Sequence, residues 1–326
     1  MHAAKSDRIR RVMRNLSWVA IGLGLLAGCE KAPAPKSAIP EMPVYAAELM
    51  GANASWGNTE GPAIDSKNNL YFTSRGTYRG IVKWSEAKGF EEWLAVAVKE
   101  GPGGLWADAQ DNLYVTATGE QQILKVTPDK QVSVVAEKFD VMPGKSKGPN
   151  DLTVLSNGVI LFTEPNGYDG KSDKGTVYRI DRAGKVHVFS QEITGPNGII
   201  LSADQKTVYV AHNVAENTSH IVKWTIDAEG VPGPMQQVAQ VVPCQADGME
   251  VNRDGNLWLT CYSHGAAYLI DGGGKVLEKI TTGQKALTNA KFGRGEKQNW
   301  LYLTSSDMAR VTGYVYRVKL PVGGLR

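Results

Sequence analysis

Basic residues are not in surplus once the first fourteen residues are set aside. The 326-residue chain carries a formal net charge of +3. Lys5, Arg8, Arg10, Arg11 and Arg14 supply more than that excess, and the remainder is slightly negative. No basic patch is left to hold a phosphate backbone, which argues against a nucleic-acid partner. Long hydrophobic runs are missing as well. The run from Leu16 to Ala27 is too short for a lasting membrane span. Histidine is scarce, at five residues, and no Ser/His/Asp arrangement for nucleophilic catalysis is evident. Gly272-Gly273-Gly274 sits in a strand connection, without the context of a phosphate-binding loop. Cysteine is limited to Cys29, Cys244 and Cys261.

What is present begins with composition. Apolar residues make up 42% of the chain and charged residues 21%, which is the balance of a packed globular core. The length allows one large β domain or two ordinary ones.

A repeated unit organises that domain. Its clearest copy runs Ala246-Asp247-Gly248-Met249-Glu250-Val251, turns at Asp254-Gly255, and continues Leu257-Trp258-Leu259-Thr260. A polar entry, an alternating run, a tight turn and a second β-rich run read as a hairpin. Copies begin at Glu60, Gly103, Asn150, Asn197, Asp247 and Asn289, at spacings of 43, 47, 47, 50 and 42 residues. Two further β-like runs follow most of the hairpins, as in Ile81-Val82-Lys83-Trp84 and Phe90-Glu91-Glu92-Trp93. Periods of this size, with four strands each, give an all-β, six-bladed propeller of four-stranded antiparallel blades. The sixth unit is one strand short. The spare run Val44–Leu49 is expected to join the last blade and close the ring, which also removes an exposed sheet edge.

In a propeller the innermost strands line a central channel, so equivalent positions converge on its axis. Five of the six unit-initial positions carry a carboxylate or a carboxamide. Any one of them alone reads more readily as a turn residue. As a register-matched set, Glu60, Asn150, Asn197 and Asp247 offer hard oxygen ligands with two negative charges. They suit Ca²⁺, with Mg²⁺ or Mn²⁺ as alternatives, and poorly suit Zn²⁺. Without a cation, the two carboxylates would repel and one pKa would rise. Glu100-Gly101-Pro102 resembles Glu60-Gly61-Pro62 but lies three residues further from its hairpin, and is taken as a decoy. Trp106 is read either as an apolar wall beside Gly103 or as blade core. His212 and His264, at strand ends near the channel mouth, read as rim or packing residues rather than proton shuttles.

The ordered set Thr59-Glu60-Gly61-Pro62, Gly148-Pro149-Asn150-Asp151, Phe162-Thr163-Glu164-Pro165, Gly195-Pro196-Asn197-Gly198 and Ala246-Asp247-Gly248-Met249 resembles the senescence marker protein 30/gluconolactonase family over about residues 44–320. The resemblance implies a calcium-dependent six-bladed propeller with lactonase activity. It implies metal ligation by Glu60, Asn197 and Asp247, with Asn150 beside the metal, contacting substrate or ligating. The chain departs from the family at Glu164, where bacterial members commonly have Asp, and at Lys147-Gly148-Pro149, where members often carry an Arg that could clamp a sugar-acid oxygen. The expected chemistry is hydrolysis of a small lactone or ester, with the cation polarising the carbonyl, Asp247 as general base and Asn150 orienting substrate. Two alternatives keep the same oxygen site: cleavage of P–O or P–F bonds, and a non-catalytic binding module with structural calcium. Substrate specificity is expected in loops 74–80, 141–147 and 214–219.

The N-terminus has its own signature. Basic residues precede Leu16–Ala27, and the run ends in Leu26-Ala27-Gly28-Cys29. This resembles the lipobox of bacterial lipoproteins, with residues 1–28 as signal peptide and Cys29 as the lipidated first residue. Glu30, in place of the Asp that commonly retains lipoproteins at the inner membrane, points to the outer membrane. Residues 29–43, rich in Pro, Ala and Lys, form a flexible tether, and residues 44–326 form the propeller. The expected protein is a monomer held by lipid on the periplasmic side of the cell envelope. Cys244 and Cys261 then remain, as a disulfide that an oxidising compartment permits or as two buried thiols.

Overall fold

A computed structural model describes residues 42–137, 139 and 148–325. Residues 1–28, most of the tether 29–43 with Cys29, and the whole of loop 141–147 lie outside the described residues. The described chain contains twenty-five β-strands and one short 3₁₀ turn, Gly295–Lys297.

The strands make six sheets, each built on four antiparallel strands. The innermost strands are Thr59–Ile64, Pro102–Ala107, Leu152–Val154, Pro196–Leu201, Ala246–Val251 and Ala286–Phe292. The turns that follow several of them share one local cause. Asp65 Oδ1 accepts hydrogen bonds from Lys67 N and Asn69 N. Asp108 does the same for Gln110 and Asn112, and Asn252 for Asp254 and Asn256. These short polar side chains bond the backbone two and four residues on, and so reverse the chain within a few residues.

Six apolar clusters lie between consecutive blades. Ala63, Tyr71 and Ile81 of the first blade pack on Leu105, Leu113 and Val115 of the second. Ile64 and Phe72 on the other side of the first blade pack on Tyr302 and Val315 of the sixth. Each blade therefore buries both faces against its neighbours, which is why strands such as Leu257–Cys261 are buried at every position.

The ring closes as expected in kind but not in detail. The strand that completes the sixth blade is Glu48–Asn53, paired antiparallel with Gly313–Arg317, and not Val44–Leu49. Val44–Ala46 instead pairs in parallel with Lys279–Thr281, as a fifth strand on the fifth blade. The entering chain thus covers two sheet edges in succession, since each edge offers unpaired backbone groups.

Cys244 and Cys261 form a disulfide. It lies beside the Ala246–Cys261 pair of the fifth hairpin, close to Asp247 in the chain.

Candidate metal centre

The inner strands begin at one mouth of the channel, and there the register-matched residues meet. Glu60, Asn150, Asn197 and Asp247 line one small chamber of about 100 Å³. The repeat positions their backbones. Thr73 Oγ1 donates to Gly103 O at 2.8 Å, Thr116 Oγ1 to Asn150 O at 2.7 Å, and Thr163 Oγ1 to Asn197 O at 2.7 Å. A threonine on the second strand of one blade therefore anchors the first residue of the next. In the fourth blade Ala211 occupies the threonine place, and Asn213 substitutes. Its Nδ2 donates to Ala246 O at 3.0 Å, and its Oδ1 accepts from Ala246 N at 2.9 Å. These bonds hold Asp247 from the residue before it.

The strand-pairing irregularity between Glu60 and Ala63 recurs between Ala246 and Met249. Such bulges turn extra residues toward the axis. Counted back from the paired level of each inner strand, the equivalent residues are Gly61, Gly104, Asp151, Gly198, Gly248 and Asn289, so the register match of Asn289 is with Asp151 rather than with Glu60, and only Asp151 and Asn289 have a side chain beyond a hydrogen. A Cβ on Gly104 would lie 2.4 Å from Asp151 Oδ1, and one on Gly248 would lie 2.1 Å from the Asn289 side chain. The glycines are the space in which Asp151 and Asn289 cross the channel. Asp151 Oδ2 accepts from Ile199 N at 3.4 Å and from Asn289 Nδ2 at 3.5 Å, and Oδ1 from Leu152 N at 2.9 Å.

Three buried carboxylates thus face one another. Burial raises the pKa of Glu60 to about 7, reinforced by the charge of Asp151. Burial raises Asp151 to about 6. Asp247 is pushed well above the ordinary carboxylate range by burial first, then by Glu60 and Asp151. Asn197 Nδ2 donates to Ala246 O at 3.1 Å, while its Oδ1 is buried without a hydrogen-bond partner. An orphaned carbonyl oxygen beside two mutually repelling carboxylates fits a hard divalent cation. The residues present to hold one are Glu60, Asn197 and Asp247. Asn150 is committed through its Nδ2, which donates to Tyr168 Oη at 2.6 Å.

Six polar chamber residues were not singled out by the sequence reading: Asn58, Arg75, Tyr168, Gln245, Tyr262 and Arg310. Arg310 Nε donates to Tyr262 Oη at 2.9 Å, and its guanidinium lies 5.4 Å from that ring. Arg75 Nε donates to Glu100 O at 3.2 Å. Glu100 thereby contributes a backbone oxygen to an arginine, and its side chain is not among those lining the chamber. The cationic side chains described in the chamber come from the first and sixth blades, as Arg75 and Arg310. Trp106 is not a wall of this chamber; it lines a different cavity at the other end of the channel. His212 is buried, and its Nδ1 lies 3.2 Å from Thr194 O. Desolvation lowers its pKa to about 4, with His220 adding to the effect. It packs rather than shuttles protons, and neither it nor His264 lines the chamber.

The SMP-30/Gluconolactonase/LRE-like family model matches residues 58–307. The chain belongs to this family. A gluconolactonase from Zymomonas mobilis is 25% identical over 289 aligned residues, covering 79% of this chain and 78% of its own. Two solved structures share the fold. A regucalcin from Agrobacterium tumefaciens, described as a calcium-binding protein, superposes with a TM-score of 0.71 at 18% identity, covering 86% of this chain and 97% of its own. A gluconolactonase from Xanthomonas campestris gives 0.68 at 23% identity, covering 84% and 89%. The fold, the ordered motifs and the chamber of this family member agree on a gluconolactonase-like propeller.

Proposed function

We propose that the protein is a calcium-dependent hydrolase of lactones, working in the chamber around Glu60, Asn197 and Asp247. The observation that carries the reading is the unpartnered buried Asn197 Oδ1 among carboxylates whose pKa values are raised by burial and by each other. Calcium, when bound there, supplies Lewis-acid polarisation of the substrate carbonyl. Everything else falls to the chain. Asp247 takes a proton from water as the water oxygen attacks the carbonyl carbon, and returns it to the ring oxygen when the acyl C–O bond breaks. Tyr168, whose hydroxyl accepts from Asn150, keeps its own proton to donate to a substrate oxygen. Asn150 holds that phenol in place. Arg75 and Arg310 add two positive charges to the wall, which favours lactones bearing an electronegative or anionic substituent.

Those two guanidinium groups also suit phosphoryl oxygens, so P–O cleavage at the same site is the second reading. A panel of sugar lactones, simple γ- and δ-lactones and p-nitrophenyl phosphate esters separates them. Acid release from lactones that stops with chelator and returns with Ca²⁺ is the expected result. Turnover restricted to the phosphate esters favours the second reading. Tight calcium binding without any turnover makes the protein a binding module.

The chain is further proposed to be lipid-anchored through Cys29 on the periplasmic side of the envelope. The Cys244–Cys261 disulfide supports an oxidising compartment. Mass spectrometry of membrane-extracted protein should show a mature chain beginning at acylated Cys29. An unprocessed N-terminus at Met1 would refute the anchor.

A further inference from the structure

The repeat that builds the upper chamber builds a second ring lower in the channel. Pairing with the second strands places Ala63, Trp106, Thr153, Ile200, Glu250 and Lys291 at one level, opposite Tyr71, Tyr114, Leu161, Tyr209, Trp258 and Tyr302. Below this ring is a cavity of about 370 Å³, more than three times the volume of the upper chamber. The two share no lining residue. Between them lies the layer in which Asp151 and Asn289 cross the glycine positions.

The lower cavity has an apolar collar and a polar arc. Ile64, Val154, Leu201 and Val251 supply the collar from four blades, and half-buried Trp106 extends it. On the polar arc, buried Glu250 pairs with Lys291 at 2.8 Å, and Lys291 Nζ lies 4.3 Å from the centroid of the Trp106 ring. Five charged residues line the space: Lys125, Lys291, Arg294, Asp108 and Glu250. The two acids are already engaged. Asp108 accepts from Gln110 N, Asn112 N and Asn112 Nδ2 within its own turn, and Glu250 is neutralised by Lys291. Three bases against two acids leave the lining with one net positive charge beside aromatic and aliphatic surface, and Lys125 and Arg294, whose Nη2 donates to Ala107 O at 3.5 Å, are the bases outside the Glu250 pair. Volumes of a few hundred Å³ with mostly apolar walls and a few convergent polar groups are those of small-molecule sites.

We propose that the lower cavity is a second ligand site, separate from the hydrolytic chamber, that takes a flat organic monoanion such as an aromatic carboxylate. The ring lies against Trp106 and the collar, and the carboxylate meets Lys125 and Arg294. Arginine and lysine favour a carboxylate over a neutral isostere because the charge-assisted bonds form in a partly dry space. The proposal does not depend on the lactonase reading, since it uses none of that chamber's residues.

Isothermal titration of the full-length protein with 1-naphthoate, and separately with neutral 1-naphthalenemethanol, tests it. Saturable 1:1 binding of the anion, at least tenfold tighter than the alcohol, is expected. Trp106→Ala, Lys125→Gln and Arg294→Gln should each weaken the anion at least tenfold, whereas Asp247→Asn should leave it unchanged. Should Trp106→Ala fail to fold, the two polar variants and Trp106→Phe decide the matter. No binding at millimolar 1-naphthoate overturns the proposal. So does equal affinity for the alcohol, or binding lost in Asp247→Asn but kept in the lower-cavity variants.

Discussion

Asp247→Asn is expected to lower lactone turnover by about 10²–10⁴-fold, the range for removing a general base, while the metal-free variant melts at a higher temperature than the wild type. The two effects have one origin. Asp247 is buried against Glu60 and Asp151, and each of the three carboxylates raises the cost of ionising another. An asparagine of the same shape keeps an oxygen for the cation and removes one of the repelling charges. Activity is lost because an amide cannot accept the proton of water. A variant that is merely misfolded would melt lower, not higher, so the thermal scan separates chemistry from damage. Retained activity in Asp247→Asn would remove the base assignment. An unchanged melting temperature, measured after chelation at pH 8, would remove the account of carboxylate repulsion.

The second large effect is a stability that depends on calcium and pH together. Glu60 moves from an ordinary 4.5 to about 7 in the fold. A carboxyl whose pKa is raised by folding binds its proton more tightly in the folded state. Its contribution is fully present below about pH 4.5 and is lost as pH rises through about 7. The chelated protein should therefore melt lower at pH 8 than at pH 5.5, and the difference should shrink in Asp247→Asn. Calcium binds the ionised form, so protons compete with it and its apparent affinity rises across the same window. At a calcium concentration a thousandfold above its dissociation constant, linkage adds about 4 kcal/mol. For a domain of this size that is roughly 7 °C in melting temperature. Scanning calorimetry at the two pH values, with and without calcium, checks both parts. A calcium effect of equal size at pH 5.5 and pH 8 would contradict the assignment of Glu60 and Asp247 as the charged ligands.

These expectations draw on residues that the sequence exposed to different degrees. Glu60, Asn150, Asn197 and Asp247 were found because a blade repeat converts chain spacing into angular position, so that equal register means a shared axis. The same reasoning could have found Asp151. Aligned one place further, it stands where Gly61, Gly104, Gly198 and Gly248 stand, and a lone acid in a column of glycines marks the place where a side chain crosses the channel. Of the two readings of Trp106, the wall beside Gly103 fails because the two were aligned by neighbourhood, whereas the blade-core reading agrees with its packing against two of the apolar clusters. Three residues along an inner strand carry a side chain from one chamber to the next.

Fold class, blade number and the ring of oxygen-bearing side chains follow from periodicity and residue chemistry, which are local and repeat. Arg75, Tyr168, Tyr262 and Arg310 do not repeat. Arg75 and Tyr262 stand at one register, four residues after Tyr71 and Trp258, but differ in chemistry, and Tyr168 and Arg310 reach the chamber from longer connections in the third and sixth units. The closing strand was misplaced by a few residues for a similar reason. Val44–Ala46 and Glu48–Asn53 are both β-rich, and only the positions of two neighbouring sheet edges determine which edge each one covers. Residue patterning specifies which strands form and which faces they bury. The packed ring alone brings together loops far apart in the chain, because their meeting depends on where the blades end in space and not on how the sequence repeats.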